Sequence, residues 1–165
     1  MALSTGLTKR AFTSVTVYPC FIRLFLTLSA GTTMLPSALL ALGSMVVTAD
    51  KVRKSLMKQG YTVTLVNARF VKPVDKAMLD YVCYNHRLIV TLEENVSSGG
   101  FGRTVCQYIS DSEYENHVLS ISLPDDYIEH GSVDILRRET GIDEDTIIKR
   151  ITAVYNNIGD NNNEQ

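Results

Sequence analysis

A chain of 165 residues with 45% apolar and 21% charged side chains has the length and composition of one ordinary globular domain with a full core. Its net charge of −2 gives no sign of a nucleic-acid surface. Cys20, Cys83 and Cys106 are odd in number, far apart and without Cys-x-x-Cys or Cys/His ligand spacing. That pattern argues against a disulfide framework or a zinc site, and for buried free thiols in a reducing compartment.

Residues 1–36 differ from everything after them. They hold no Asp or Glu, and Asp50 is the first acidic residue of the chain. Lys9, Arg10 and Arg23 are their only charges, and hydroxyl side chains are frequent. The apolar run over residues 15–28 is broken by Pro19 and Arg23, and falls short of the roughly 20 residues that a membrane span needs. The segment reads as an irregular extension or a false start of the reading frame, with an organelle transit peptide or a secretory signal as the alternative.

From residue 37 to residue 158 the pattern is regular. Residues 38–42 form a short apolar strand that ends at Gly43 and Ser44. Met45, Ala49, Val52 and Leu56 then recur at steps of four, three and four, which is one face of a helix. Gly60 is placed to end that helix in the left-handed conformation. Residues 61–66 alternate as a second strand. Pro73 keeps Lys72 out of helical geometry, so residues 67–75 are a loop. Asp75 caps a second helix with the stripe Met78, Leu79, Val82 and Cys83.

Residues 87–109 carry the chemistry-bearing stretch. Its strand, residues 87–92, has the composition of one buried on both faces. Glu93 and Glu94 follow, then Ser97 and Ser98, which are candidate helix caps, then Gly99, Gly100, Phe101 and Gly102, then a third helix over Val105, Cys106 and Ile109. Strand, acidic tip, glycine turn and helix make a carboxyl edge of the kind where α/β sheets hold their sites. Residues 118–123 alternate more cleanly, as a strand nearer an edge. An acidic loop with His130 leads to a short helix over residues 132–140, closed by Gly141. Asp143 caps the last helix, striped with Ile147, Ile148, Ile151, Val154, Tyr155 and Ile158, and residues 159–165 read as a disordered polar tail.

The candidate site is therefore Glu93, Glu94, Ser97, Ser98, Gly99, Gly100, Phe101, Gly102 and His130, an interface or anion-contact loop. The glycine turn fails the Gly-x-Gly-x-x-Gly fingerprint, because Val105 stands where a third glycine is needed, and it lacks a Walker lysine. Its helix-start amides suit an anion, but the two glutamates just before it repel phosphate. Neighbouring residues on a strand point to opposite faces, so Glu93 and Glu94 do not make a paired acid/base site. One of them braces the turn and the other meets solvent or a partner chain. His86 and His117 precede strands and belong at the opposite end of the sheet. No catalytic constellation assembles, and a binding or assembly domain is better supported than an independent enzyme.

The segments Ala38-Leu-Leu-Ala-Leu-Gly-Ser44, Asn67-Ala-Arg-Phe-Val-Lys-Pro-Val-Asp75, Val90-Thr-Leu-Glu-Glu-Asn-Val96, Gly99-Gly-Phe-Gly102 and Leu123-Pro-Asp-Asp-Tyr-Ile-Glu-His-Gly131 follow in order. Together they resemble the carboxy-terminal domain of 1-deoxy-D-xylulose-5-phosphate synthase, of the transketolase-like, thiamine-diphosphate-dependent group. The matching domain of the β subunit of 2-oxo-acid dehydrogenases is the second choice. The strand–helix alternation predicts a mostly parallel sheet covered on both faces, a three-layer α/β/α fold of about five strands, and the resemblance implies the same architecture. It also implies part of a transferase that condenses pyruvate with glyceraldehyde 3-phosphate, uses thiamine diphosphate and magnesium, works as a dimer and is cytoplasmic, or plastidial if residues 1–36 are a transit peptide. The chain lacks the Gly-Asp-Gly motif and the pyrimidine-domain glutamate of that family. No catalytic, cofactor or metal residue is therefore carried over, and no cofactor is expected on this chain alone. The implied role is assembly, as a homo-oligomer, with a chain that supplies the cofactor-binding domains, or as a stand-alone regulatory module. Nucleic acid and membrane are not expected partners.

Overall fold

A computed structural model describes residues 36–161 together with the two-residue strand Leu24–Phe25. The elements in chain order are β1 (Leu24–Phe25), β2 (Ser37–Leu42), α1 (Met45–Lys58), β3 (Val63–Ala68), α2 (Lys76–Asn85), β4 (Leu88–Val96), α3 (Phe101–Asp111), β5 (His117–Leu123), α4 (Val133–Glu139) and α5 (Glu144–Asn161). The expectations for residues 1–36 lie outside the described residues, apart from β1.

The strands from β2 to β5 are parallel, and β1 adds a short antiparallel pairing to the outer edge of β3, giving the order β1-β3-β2-β4-β5. The sheet is thus the mostly parallel α/β sheet that the strand–helix alternation predicts. Side-chain alternation sorts the core into two layers. Leu39 and Ala41 of β2 and Leu88, Val90 and Leu92 of β4 face α1 and α5, whose Met45, Ala49, Val52, Ile147 and Ile151 are wholly buried against them. Ala38, Leu40 and Ile89 face the other way, onto Leu79 and Val82 of α2 and Phe101 and Val105 of α3. The helical stripes read from the sequence are these buried faces.

Chain direction reverses at the middle of the sheet. From β2 the chain goes through α1 to β3, then crosses to the other side of β2 through α2 to reach β4. The loops that leave β2 and β4 therefore run to opposite faces of neighbouring strands, which is the switch point of a doubly wound sheet.

Local signals behave as their chemistry requires. The Asp75 side chain accepts from the Met78 amide at 3.0 Å, and that of Asp143 from the Thr146 amide at 3.2 Å. Gly60 and Gly141 hold positive φ values of 93° and 73° at the ends of α1 and α4. Several boundaries differ from the sequence reading, and β3, read there as residues 61–66, spans Val63–Ala68. Strand β4 continues past Leu92 to Val96 and takes in both glutamates, with a register shift against β5 in that stretch. Helix α5 continues three residues beyond Ile158 to Asn161, because asparagine and glycine at a helix end are tolerated once the preceding turns are packed. Residues 162–165 lie outside the described residues.

Edge strand β5 is less buried than its neighbours, and the Arg150 guanidinium donates to its Ser120 carbonyl at 3.2 Å. At the amino end of the sheet, His86 closes α2. Its Nδ1 donates to the Val82 carbonyl at 3.1 Å, which leaves Nε2 to accept from the Thr64 hydroxyl at 2.8 Å. Burial lowers the His86 pKa below its ordinary 6.5. The unfolded chain therefore binds this proton more readily than the native one. The stability that neutral His86 contributes is complete above about pH 6.5 and is lost as the pH falls below that value toward the native pKa. Urea unfolding at pH 7.5 and pH 5.0 should show a larger loss for the wild-type chain than for His86→Gln; equal losses would show that this imidazole does not carry the effect.

Candidate functional site

The acidic tip of β4 is built by the strand period. Glu93 shares a face with Ile89 and Thr91, toward α3, and Glu94 takes the opposite face. Glu93 is wholly buried, and its two carboxylate oxygens accept from the amides of Phe101 at 2.7 Å and Gly102 at 2.8 Å. These are the first amides of α3, which would otherwise lack partners, and the positive helix end favours the negative charge. The cap position itself is Gly100, with no side-chain cap of its own. Ser97 and Ser98, read as caps, do not fill that role. A carboxylate from the preceding strand already satisfies the amides that a serine would have served.

The glycines follow from this arrangement. A Cβ on Gly100 would lie 2.6 Å from the Val96 carbonyl oxygen and 2.7 Å from both Glu93 oxygens. A Cβ on Gly102 would collide with the Ser120 hydroxyl and lie 2.6 Å from that of Thr91. Thr91 in turn donates to Ser120 at 3.2 Å, so α3 rests on a polar seam between β4 and β5.

Glu94 belongs to a different group. It accepts from the Ser44 hydroxyl and from Arg137, with Nε at 3.0 Å and Nη2 also in contact. The Ser44 hydroxyl, Arg137 and the charge of Arg137 hold its carboxyl below the usual range against partial burial. That contribution is present above pH 4.5 and fades as the pH falls below it. Ser44 is the cap residue of α1 yet makes no side-chain bond to its own helix. It reaches across the switch point instead.

Among the sequence-predicted residues, Ser97, Ser98, Gly99 and Gly102 line one open groove of about 460 Å³, with Arg103, Cys106 and Ser120. Glu93, Gly100 and Phe101 lie beneath that groove as its support. Glu94 stands across the strand, and His130 is exposed on the loop between β5 and α4. Sequence reasoning missed Ser44 and Arg137. Ser44 follows a strand, so knowledge of the strand order would have placed it beside Glu94. Arg137 carries no sequence signal, because it meets Glu94 across 43 residues.

The carboxylates here do not suit a magnesium ion. Both oxygens of Glu93 take helix amides, and those of Glu94 take Ser44 and Arg137. Among the described residues no group of three or more His, Cys, Asp or Glu is placed to hold a metal. Cys83 is buried, which pushes its thiol up to about 11, and Cys106 is half-buried. Among the described residues no helix is long and apolar enough to cross a membrane.

Known proteins align with this arrangement. The family described as "Transketolase, C-terminal domain" matches residues 37–147. A 1-deoxy-D-xylulose-5-phosphate synthase of Lachnoclostridium phytofermentans is 44% identical over 115 residues, 69% of this chain and 18% of the relative. Its namesake from Clostridium tetani is 39% identical over 114 residues, again 69% of this chain and 18% of the relative. A solved split-gene transketolase, described as an inactive β4 tetramer, superposes with a TM-score of 0.67 at 23% identity, covering 73% of this chain and 39% of that one. The chain spans about 18% of the length of the curated relatives it matches.

Two substitutions test the geometry. Gly100→Ala should cost roughly 1–3 kcal/mol, because the Val96 carbonyl beside the new methyl is backbone and has little room to yield. Glu93→Gln should cost about 1–3 kcal/mol by setting an amide donor against a helix amide. Glu94→Gln should cost under about 1 kcal/mol at its part-exposed position. Chemical unfolding measures all three, and equal losses at residues 93 and 94 would refute the division between a buried brace and an exposed pair.

Proposed function

The chain belongs to the transketolase C-terminal-domain family, and from that premise we propose that it is the carboxy-terminal domain of a 1-deoxy-D-xylulose-5-phosphate synthase. The whole enzyme would condense pyruvate with glyceraldehyde 3-phosphate on thiamine diphosphate and magnesium, supplying isoprenoid, thiamine and pyridoxal synthesis. In this reading the domain's part is assembly, and the reacting groups belong to the other domains of the synthase. The names of the relatives favour the synthase over the β subunit of a 2-oxo-acid dehydrogenase.

The observation that carries the assembly reading is the state of the switch point. Doubly wound sheets place ligands in the crevice between the strands that diverge there. Here the crevice between β2 and β4 is bridged by Ser44, Glu94 and Arg137, all bonded to one another through Glu94. The Gly99–Gly102 turn beside it is braced from within by Glu93. A rim closed by its own side chains suits a contact surface better than a reaction centre. The split-gene transketolase supports a partner chain that supplies the remaining domains, or a homo-oligomer, since its description gives a transketolase encoded in pieces and a tetramer of one piece.

Titration calorimetry of the full chain with thiamine diphosphate and magnesium should give no binding at micromolar concentrations. Mixing the chain with a synthase relative that lacks only the matching segment should restore sugar-phosphate formation from pyruvate. Micromolar binding by the chain alone, or product made by it unaided, would overturn the assembly reading.

A further inference from the structure

Resting on the reading that a partner chain supplies the cofactor-binding domains, we propose that this partner docks on the carboxyl rim around Ser44, Glu94 and Arg137. We propose further that the surface it brings is apolar at its centre and basic around it. Both faces of the sheet are covered by helices, but the rim is left with exposed apolar side chains. Val47 is 67% exposed and stands three residues after Ser44 on α1; Val133 is 61% exposed and stands four residues before Arg137 on α4. Residues three or four apart lie on one side of a helix. The two valines therefore flank the residues that hold Glu94. Tyr127, 92% exposed on the loop before α4, adds an aromatic ring on the β5–α4 side.

Helix α4 argues for a cover. It is seven residues long and none of its residues is buried. Helices of that length do not hold by themselves in water. The Arg137–Glu94 pair links it to the end of β4. A surface that sat on Val133 would cover the side of α4 that carries Arg137, and would exclude water from the ion pair there.

Charge selects the occupant. Asp125, Asp126, Glu129, Asp134 and Glu139 are exposed, against an exposed Arg138 and an Arg137 that pairs with Glu94, so the loop and α4 are acidic on balance. A second copy of this chain would bring the same sign to the same place, which disfavours self-association through the rim. A partner with Lys and Arg around an apolar centre is drawn to it, faster at low salt. A specific complex needs on the order of 1,000 Å² of buried surface, so the partner must reach past the two valines along the rim.

The test uses the full chain and, as probe, the Lachnoclostridium phytofermentans relative expressed without the segment this chain matches, with affinity read by calorimetry at two salt concentrations. Val47→Asp with Val133→Asp should weaken the complex at least tenfold. Both changes put a carboxylate in a first helical turn, where it is favoured, so an unchanged unfolding midpoint separates lost docking from lost folding. Asp125→Lys with Asp126→Lys should weaken binding and flatten its salt dependence, while Arg87→Glu at the opposite rim should leave it unchanged. A complex indifferent to the rim variants would overturn this surface and leave the assembly reading standing. No complex with the wild-type chain would overturn both. A dimer of this chain abolished by Val47→Asp would replace the proposed partner with a second copy.

Discussion

A carboxylate with no solvent exposure must find compensation inside the protein, and at Glu93 two helix amides provide it. Most of the carboxyl edge follows from that one arrangement. The helix must begin where the carboxylate can reach its first amides, so the turn from Val96 to Phe101 is short. Residue 100 must have no side chain, because one would enter the space that the carboxylate and the Val96 carbonyl occupy. Residue 102 must have none either, because the helix is drawn down onto Thr91 and Ser120. The glycine turn that invites a nucleotide reading thus serves the protein's own anion.

The neighbouring carboxylate obeys the same rule on the other side of the sheet. Glu94 meets the residue that begins α1 and an arginine from α4, tying together the loop after β2, the end of β4 and the helix after β5. Two adjacent acids thereby serve different helices, Glu93 the start of α3 and Glu94 the start of α1 together with α4. An ordinary pair of catalytic carboxylates would converge; these diverge because a strand alternates.

Much of this was legible in the sequence. The stripes of α1 and α5 were plain because period and burial coincide: Met45, Ala49, Val52 and Leu56 are all wholly buried. The caps at Asp75 and Asp143 were legible because each partner lies three residues away. The division of labour between Glu93 and Glu94 could be stated from alternation, but not which one braced the turn. That depended on where β4 ended, and the strand ran on through Val96. The serines misled because they carry the right chemistry next to a helix whose amides were already taken. The Ser44–Glu94–Arg137 group was hidden because its members are joined by strand order, which no local pattern encodes. The family resemblance named the architecture but was silent on all of these contacts.

The opposed placement of the two acids has a consequence for how the gene can change. Swapping one aliphatic residue for another between Leu88 and Leu92 leaves every side chain on its own side. Losing or gaining a single codon there would turn the strand over, sending the acid meant for α3 toward α1 and burying the other beside amides of the wrong helix. Length in this stretch is therefore constrained more tightly than composition.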